Sequence, residues 1–368
     1  MNHKVAVIGA GASGRGFIGR LLMADGAEVT YIDSNLALVK KLRQNGCYTV
    51  YMGRERTPCV VSGYNVFHVD DDEAVEAISM VEFVFISVGI SNFASLRPLF
   101  QKVAKVNPSP RIIVCENGIS PKITLREKLT GIGNPQITQG VIFCTTIPVE
   151  EINAISEDYP DLPYDVDEDL FKLPFHHFTA TKEFSALLQR KIYTYNCISA
   201  CIAYCGHVLG YTDYGLAATD QYVAILCRKL AGQLTRVLVK EYAIDEHIQR
   251  EFAENAIRKF TDTTIADTIQ KNARAVMRKL APEERVMGPM RLFLKFKEST
   301  DILEIIVACA YRYLVDKEMN LLKDAGYSTP AEFFKRINPD LPERIYRGIN
   351  ERFALLSTPK GIERVLQI

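Results

Sequence analysis

A chain of 368 residues exceeds what one hydrophobic core usually organises, so two domains are expected, and 48% hydrophobic with 24% charged residues excludes a mainly disordered or collagenous protein. Lys plus Arg equals Asp plus Glu at 44 each, so no net field draws the chain to nucleic acid or an anionic membrane, and any anionic ligand must be held locally. No apolar run reaches the ~18 residues needed to cross a bilayer, a first strand from Lys4 leaves no room for a secretion signal, and no C-x-x-C pair occurs among nine cysteines, so a reduced, cytoplasmic protein without a metal site is expected.

Val5-Ala6-Val7-Ile8 is a continuous apolar run, followed by Gly9-Ala10-Gly11-Ala12-Ser13-Gly14 and then by Phe17, Ile18, Leu21 and Leu22 at helical spacing. Strand, glycine turn and helix form a dinucleotide fingerprint: the first glycine permits the turn, the second admits a pyrophosphate, and the third lets helix and strand pack. Phosphate charge would meet the N–H groups of the helix start at Ala12, Ser13 and Gly14. A second strand, Glu28-Val29-Thr30-Tyr31-Ile32, ends at Asp33, whose carboxylate suits a ribose diol and repels a 2′-phosphate, favouring NAD over NADP. Between the strands, Tyr48–Met52 and Val60–Val66 alternate like an inserted antiparallel hairpin. Two further buried-type strands end in Ser87-Val88-Gly89 and in Cys115-Glu116-Asn117-Gly118, which makes Ser87, Gly89, Glu116 and Asn117 candidates to line the nicotinamide end of the site.

Residues 150–175 cluster Glu157, Asp158, Asp161, Asp165, Asp167, Glu168 and Asp169 with Pro160, Pro163 and Pro174 and read as a surface connector. Beyond it the pattern is helical, with candidate helices near 182–209, 214–243, 245–259, 265–280, 299–324 and 340–357. The expected fold is therefore an α/β N-terminal Rossmann domain over 1–178, including the hairpin and the connector, with an all-α C-terminal domain over 179–368 that holds the substrate. Cys197, Cys201 and Cys205 recur every four residues, a stripe that favours packed core over zinc. On the same helix Lys191, Asn196 and Ser199 punctuate an apolar run. At ~100° per residue Lys191 and Asn196 lie ~140° apart with Ser199 between them, so the three can border one cavity. A buried lysine of lowered pKa is a general base for an alcohol proton, and an asparagine can fix the oxygen.

The blocks Gly9-Ala10-Gly11-x-x-Gly14-Arg15-Gly16-Phe17-Ile18-Gly19, Cys115-Glu116-Asn117, Arg190-Lys191-x4-Asn196, Ala203-Tyr204-x-Gly206, Arg278-Lys279-Leu280-x4-Arg285 and Ala310-Tyr311-Arg312-Tyr313 follow one another as in the polyol-specific long-chain dehydrogenases, the mannitol dehydrogenase family, which the sequence resembles over nearly its whole length. The resemblance implies a metal-independent NAD enzyme acting on a polyol or polyol phosphate, monomeric or homodimeric, with Lys191 as base, Asn196 orienting the oxygen and Arg312 contacting substrate hydroxyls. It departs from the family at Ser199, where relatives carry histidine, and at Thr145-Thr146-Ile147-Pro148-Val149, where they carry a V-D-R-I motif. The apolar Ile147-Pro148 leaves open a sugar acid or other hydroxy acid as substrate, and a non-catalytic NAD-binding sensor is a further alternative. Helical-domain cations Arg274, Arg278 and Lys279 are candidates to meet a phosphate. Among the histidines, His176, His177 and His207 are the ones placed to replace the missing ring.

Overall fold

The computed structural model describes residues 3–118, 120–264, 266–318, 326, 330–358 and 360–366. Its strands are β1 (Lys4–Ile8), β2 (Glu28–Asp33), β3 (Cys47–Met52), β4 (Thr57–Ser62), β5 (Asn65–His68), β6 (Phe83–Ile86), β7 (Arg111–Cys115), β8 (Gln136–Gly140), β9 (Thr146–Val149), β10 (Asn153–Ser156), β11 (Leu162–Asp165) and β12 (Phe178–Thr181). The chain divides into two units, Met1–Leu188 and Gln189–Ile368.

In the first unit β1 is apolar throughout because both of its faces are covered. Val5 and Val7 enter one hydrophobic core and Ala6 and Ile8 another. The main sheet runs β12-β11-β8-β7-β6-β1-β2-β5, parallel except where β11 meets β8. The chain moves outward from β1 to β2 and β5, then returns to the other side of β1 with β6. The switch point therefore lies at the carboxyl ends of β1, β2 and β6, where an open α/β sheet binds its ligand.

A second sheet, ordered β4-β3-β10-β9, pairs β3 antiparallel to β4 and parallel to β10. The stretch read from sequence as one hairpin arm, 60–66, is split. Gly63, with φ +78°, turns the chain so that Thr57–Ser62 pairs with β3 while Asn65–His68 joins β2. The acidic connector carries β10 and β11 and is anchored through Asp165. Its side chain is 1% exposed and meets Lys122 Nζ at 2.6 Å, while Lys122 also reaches Glu168 at 2.7 Å. Arg126 and then Lys122 hold the Glu168 carboxyl down at about 2.

The second unit is helical. Cys197–Val208 and Asp301–Lys317 are buried along most of their length, as expected of central helices, and pack together through pairs such as Tyr204 and Tyr313 with ring centroids 6.1 Å apart. The expected helix 214–243 is two, Tyr214–Thr219 and Gln221–Tyr242. The chain breaks at Asp220, whose carboxylate accepts the amides of Tyr222 and Val223 as an N-cap. The expected helix 265–280 is likewise two short pieces, Ile269–Ala273 and Val276–Lys279, interrupted by left-handed Ala275. Helix Met287–Lys295 was hidden by Gly288-Pro289, a turn signal that a helix tolerates in its first turn. The expected helix 299–324 is observed as 301–317, and most of its last turns lie outside the described residues. Among the described residues no helix is long and apolar enough to cross a membrane.

Removing Asp165 leaves Lys122 only Glu168 and frees the donors of Gln139 and the Asp167 amide. Asp165→Ala is expected to destabilise the first unit by about 1–3 kcal/mol in urea unfolding, and a variant as stable as the wild type contradicts the anchoring role.

Candidate functional site

Three glycines at the end of β1 are required for three different reasons. Gly9 has φ +96°, and a Cβ there would overlap the Ser87 carbonyl. A Cβ on Gly14 would overlap the Gly9 carbonyl, so this glycine brings the helix against the turn. At Gly11 an added Cβ meets nothing within 4 Å: its side faces open space, where a pyrophosphate can approach the backbone. Ala12 and Ser13 open the helix, which continues as a π-helical stretch Gly14–Gly19 and then Arg20–Ala24. A Cβ on Gly16 would come within 2.9 Å of Ala154, and one on Gly19 would overlap the Tyr31 hydroxyl, so the G-R-G-F-I-G extension is a packing requirement.

Arg15 is buried, at 2% exposed. Its guanidinium donates to the Ala10 carbonyl and, through Nε, to that of Ile152 at 3.2 Å, fastening the glycine turn to the β9–β10 connection. Tyr48 donates to the Arg15 carbonyl at 3.1 Å and shares a 2.7 Å hydroxyl contact with Tyr31.

Beside the turn lies a cavity of about 400 Å³ bordered by Gly9, Gly11, Asp33, Ser87, Val88 and Asn92. Asp33 Oδ2 accepts the Ala10 amide and Oδ1 the Asn35 amide, each at 2.7 Å, so the carboxylate is oriented before a ligand arrives. Open backbone at Gly11 and a fixed carboxylate at the cavity wall fit a dinucleotide with a free ribose diol. Of the other expected residues, Ser13 shares a 3.0 Å hydroxyl contact with Thr146, and Gly89, with φ +86°, donates to Glu116 Oε1 at 2.5 Å. Burial pushes the Glu116 carboxyl up to about 7 against the opposing pull of the Gly89 and Val88 amides. Asn117 is exposed at the end of β7. Sequence reasoning missed Val88, Asn92, Ser95 and Leu96, which also border the cavity. The one available signal was that they follow directly on the strand end at Ser87.

In the second unit Lys191 is 5% exposed. Burial, then the cations Lys259 and Arg285, hold its amine well below the ordinary lysine value. The segment Ile192–Asn196 is π-helical, which corrects the angular reading from sequence. With i→i+5 bonding, residues 191 and 196 lie closer together around the helix axis than the ~140° that a regular α-helix would give. Helix Glu246–Phe260 clamps this turn: Gln249, fully buried, accepts from Arg190 at 2.5 Å and donates to Thr194 at 3.0 Å. Asn196 is half-buried, and Ser199, also half-buried, accepts a 2.9 Å hydrogen bond from the Tyr214 hydroxyl.

Arg312 pairs with Asp316 at 3.0 Å, and Asp316 also meets His207 Nε2 at 2.9 Å. His207 lies eight residues beyond Ser199, about 12 Å along the helix axis. His177 Nδ1 is held by Asp25 at 2.7 Å, and His176 is exposed. Lys279 is 6% exposed, and burial with Arg285, Arg278 and Arg274 brings its amine down to about 7. Arg278 and Arg285 converge on the Glu284 carboxylate at 3.1 and 3.0 Å. Cys197, Cys201 and Cys205 are buried free thiols in the helical core, where Cys201 is hydrogen-bonded to Cys205 and Cys227, and Cys205 also to Cys309. Among the described residues no group of three or more His, Cys, Asp or Glu is arranged to hold a metal.

A glycine turn and oriented carboxylate at the switch point of a parallel sheet define a dinucleotide-binding oxidoreductase as the class. Residues 3–158 match the mannitol dehydrogenase Rossmann domain and residues 183–324 the mannitol dehydrogenase C-terminal domain. A mannitol-1-phosphate 5-dehydrogenase of Caldanaerobacter subterraneus is 26% identical over 78% of this chain and 81% of its own length; one from Exiguobacterium sibiricum is 26% identical over 99% and 96%. Two solved structures share the fold: D-sorbitol dehydrogenase, with a TM-score of 0.76 at 11% identity over 100% of this chain and 95% of that one, and Pseudomonas fluorescens mannitol 2-dehydrogenase, with 0.75 at 10% over 100% and 94%. The chain belongs to the mannitol dehydrogenase family and is an NAD-dependent oxidoreductase of CH–OH groups.

The glycine geometry separates binding from folding. Gly11→Val is expected to unfold within about 1 kcal/mol of wild type while NADH affinity drops about tenfold or more. Gly14→Val should instead lose about 1–3 kcal/mol of stability from overpacking. Thermal unfolding and NADH titration check both, and Gly11→Val binding NADH normally would count against the cavity.

Proposed function

We propose that this protein interconverts a sugar alcohol, or its phosphate, with the corresponding ketose or ketose phosphate, using Lys191 as the general base. The observation that carries this reading is the buried amine at 191, whose proton affinity burial and then the cations Lys259 and Arg285 push well below that of an ordinary lysine, the direction a general base requires. NAD, when bound, supplies the hydride acceptor. Lys191 takes the hydroxyl proton of the substrate, and on reduction of the ketone returns it. Asn196, one π turn along, donates its amide to the same oxygen and fixes its direction. Ser199 accepts from Tyr214 and so keeps its own O–H proton to donate to the substrate. Unlike the histidine it replaces, it carries no charge. Arg312, with its guanidinium aligned by Asp316, orients the polyol chain.

The phosphate form of the substrate is favoured by the relatives' names and by the basic group in which Arg274, Arg278 and Arg285 act on Lys279 while Arg278 and Arg285 pair with Glu284. Apolar Ile147 and Pro148 in β9 keep sugar acids and other hydroxy acids as the second substrate class to be tested.

Absorbance at 340 nm with NAD and a panel of polyols, polyol phosphates, sugar acids and hydroxy acids identifies the substrate. Turnover with at least one polyol or polyol phosphate is expected. Lys191→Ala should lower kcat by about 10²–10⁴-fold with unchanged NADH affinity. Tight NADH binding without turnover on any panel member would mark a cofactor sensor, and full activity in the variant would remove Lys191 from the chemistry.

A further inference from the structure

One wall of the cofactor cavity is the turn that leaves β6 together with the short 3-10 helix Ile90–Leu96 that follows it, and Ser87, Val88, Asn92, Ser95 and Leu96 all border the cavity. The turn is bonded to itself: the Asn92 amide donates to the Gly89 carbonyl at 2.9 Å, its side chain to the Val88 carbonyl at 2.6 Å, and Ser95 to the Asn92 carbonyl at 2.7 Å. Its link to β1 is the Ser87 amide, which donates to Ile8 at 2.8 Å. From the neighbouring strand β7 comes Glu116, whose carboxylate accepts the Gly89 amide at 2.5 Å and the Val88 amide as well. Gly89 sits in the left-handed region at φ +86°, a conformation that the local sequence does not otherwise enforce. One carboxylate therefore holds two consecutive amides at the point where the chain changes direction.

We infer that Glu116 is a positioning residue for the cofactor: by accepting the Val88 and Gly89 amides it holds the 87–96 turn in the shape that receives the dinucleotide. The inference rests on reading the cavity beside Gly11 as the dinucleotide site. The carboxylate acts through the backbone of its neighbour and need not touch the ligand.

The hold is sensitive to proton concentration. A charged carboxylate accepts amide hydrogens about twice as strongly as a neutral acid, and burial brings the titration of Glu116 up to about 7. The groups around it do not offset this. On its own strand the neighbour is the buried thiol of Cys115, itself pushed up by burial and by Glu116. The turn after β6 presents only Ser87, Asn92 and Ser95, and the end of β1 presents glycine. On the following helix Pro121–Lys128 the cation Lys122 is engaged by Asp165 and Glu168, and across the cavity Asp33 is held by the Ala10 and Asn35 amides. For folding the sign is opposite to that of an ordinary ion-paired acid. A carboxyl raised above its unfolded value contributes its stability below about pH 4.5 and loses it as pH rises through about 7. The ionised form is thus a cost to the fold at the pH where it serves the site.

Calorimetric titration of NADH tests the inference at pH 8 and pH 6 on the full-length wild type and on Glu116→Gln. The wild type is expected to bind about tenfold more weakly at pH 6, the change produced by one group titrating midway. Glu116→Gln should bind at pH 8 as weakly as the wild type does at pH 6, with little further change on acidification. A wild-type affinity that is flat between the two pH values overturns the inference without recourse to any variant, as does a variant that keeps the wild-type slope. Wild-type protein that fails to bind NADH at either pH would instead overturn the underlying reading of the cavity.

Discussion

Burying a lysine inside a helical core costs several kcal/mol if the amine stays charged, and other cations nearby raise that cost. At position 191 both conditions hold, since the side chain is 5% exposed and Lys259 and Arg285 act on it. Both effects push the amine well below its ordinary value, which is the direction the proposed role as a base requires. Much of the second unit packs around this position. The central helix Cys197–Val208 is apolar on nearly all sides, and Gln249 bridges Arg190 and Thr194 on either side of the lysine. The π turn that follows brings Asn196 closer to the side of the lysine than an α turn would. A π turn is strained relative to an α turn and is found mostly at functional sites.

The first unit solves a different problem, which is to bring a bare backbone close to a charged ligand. Gly9 and Gly14 are fixed by collisions with neighbouring carbonyls, whereas Gly11 is fixed by the space that it leaves open. Arg15 explains why the turn is rigid before a ligand arrives. Its buried guanidinium ties the Ala10 carbonyl to the Ile152 carbonyl of the second sheet, so the small sheet acts as a buttress for the glycine turn. The same sheet carries Thr146, which meets Ser13 at the start of the helix. In this strand the chain reads Thr146-Ile147-Pro148-Val149, and the contact it makes with the glycine turn is the Thr146 hydroxyl.

What could be read from the sequence was whatever is local. The strand, glycine turn and helix from Val5 to Leu22 occupy eighteen consecutive residues, and their periodicities switch in view of the reader. Asp33 was legible because it closes the next strand at the spacing a ribose requires. The α/β then all-α order followed from the same patterns, and the structure has it. The second sheet was not legible in full, because β3 pairs with a strand about a hundred residues away and no local pattern encodes that partner. The wall formed by residues 87–96 was missed for a related reason: its shape is set by backbone amides donating to Glu116 on another strand. At 191–196 the residue types suggested a chemistry but not the geometry, because five residues of i→i+5 bonding leave no periodic trace and a 3.6-residue count misplaces them. Arg312 was nominated by resemblance, and no pattern in the sequence foretold its pairing with Asp316 in company with His207.

The central claim is that the amine at 191 is the group that accepts the substrate proton. The pH dependence of kcat/KM for oxidation of the identified substrate tests it most directly, because the acid limb of that profile reports the base in the free enzyme. With Lys191 present, the limb should fall well below the ordinary lysine value, and the residual activity of Lys191→Ala should lack it. An acid limb that persists unchanged in the variant would assign the proton to another group.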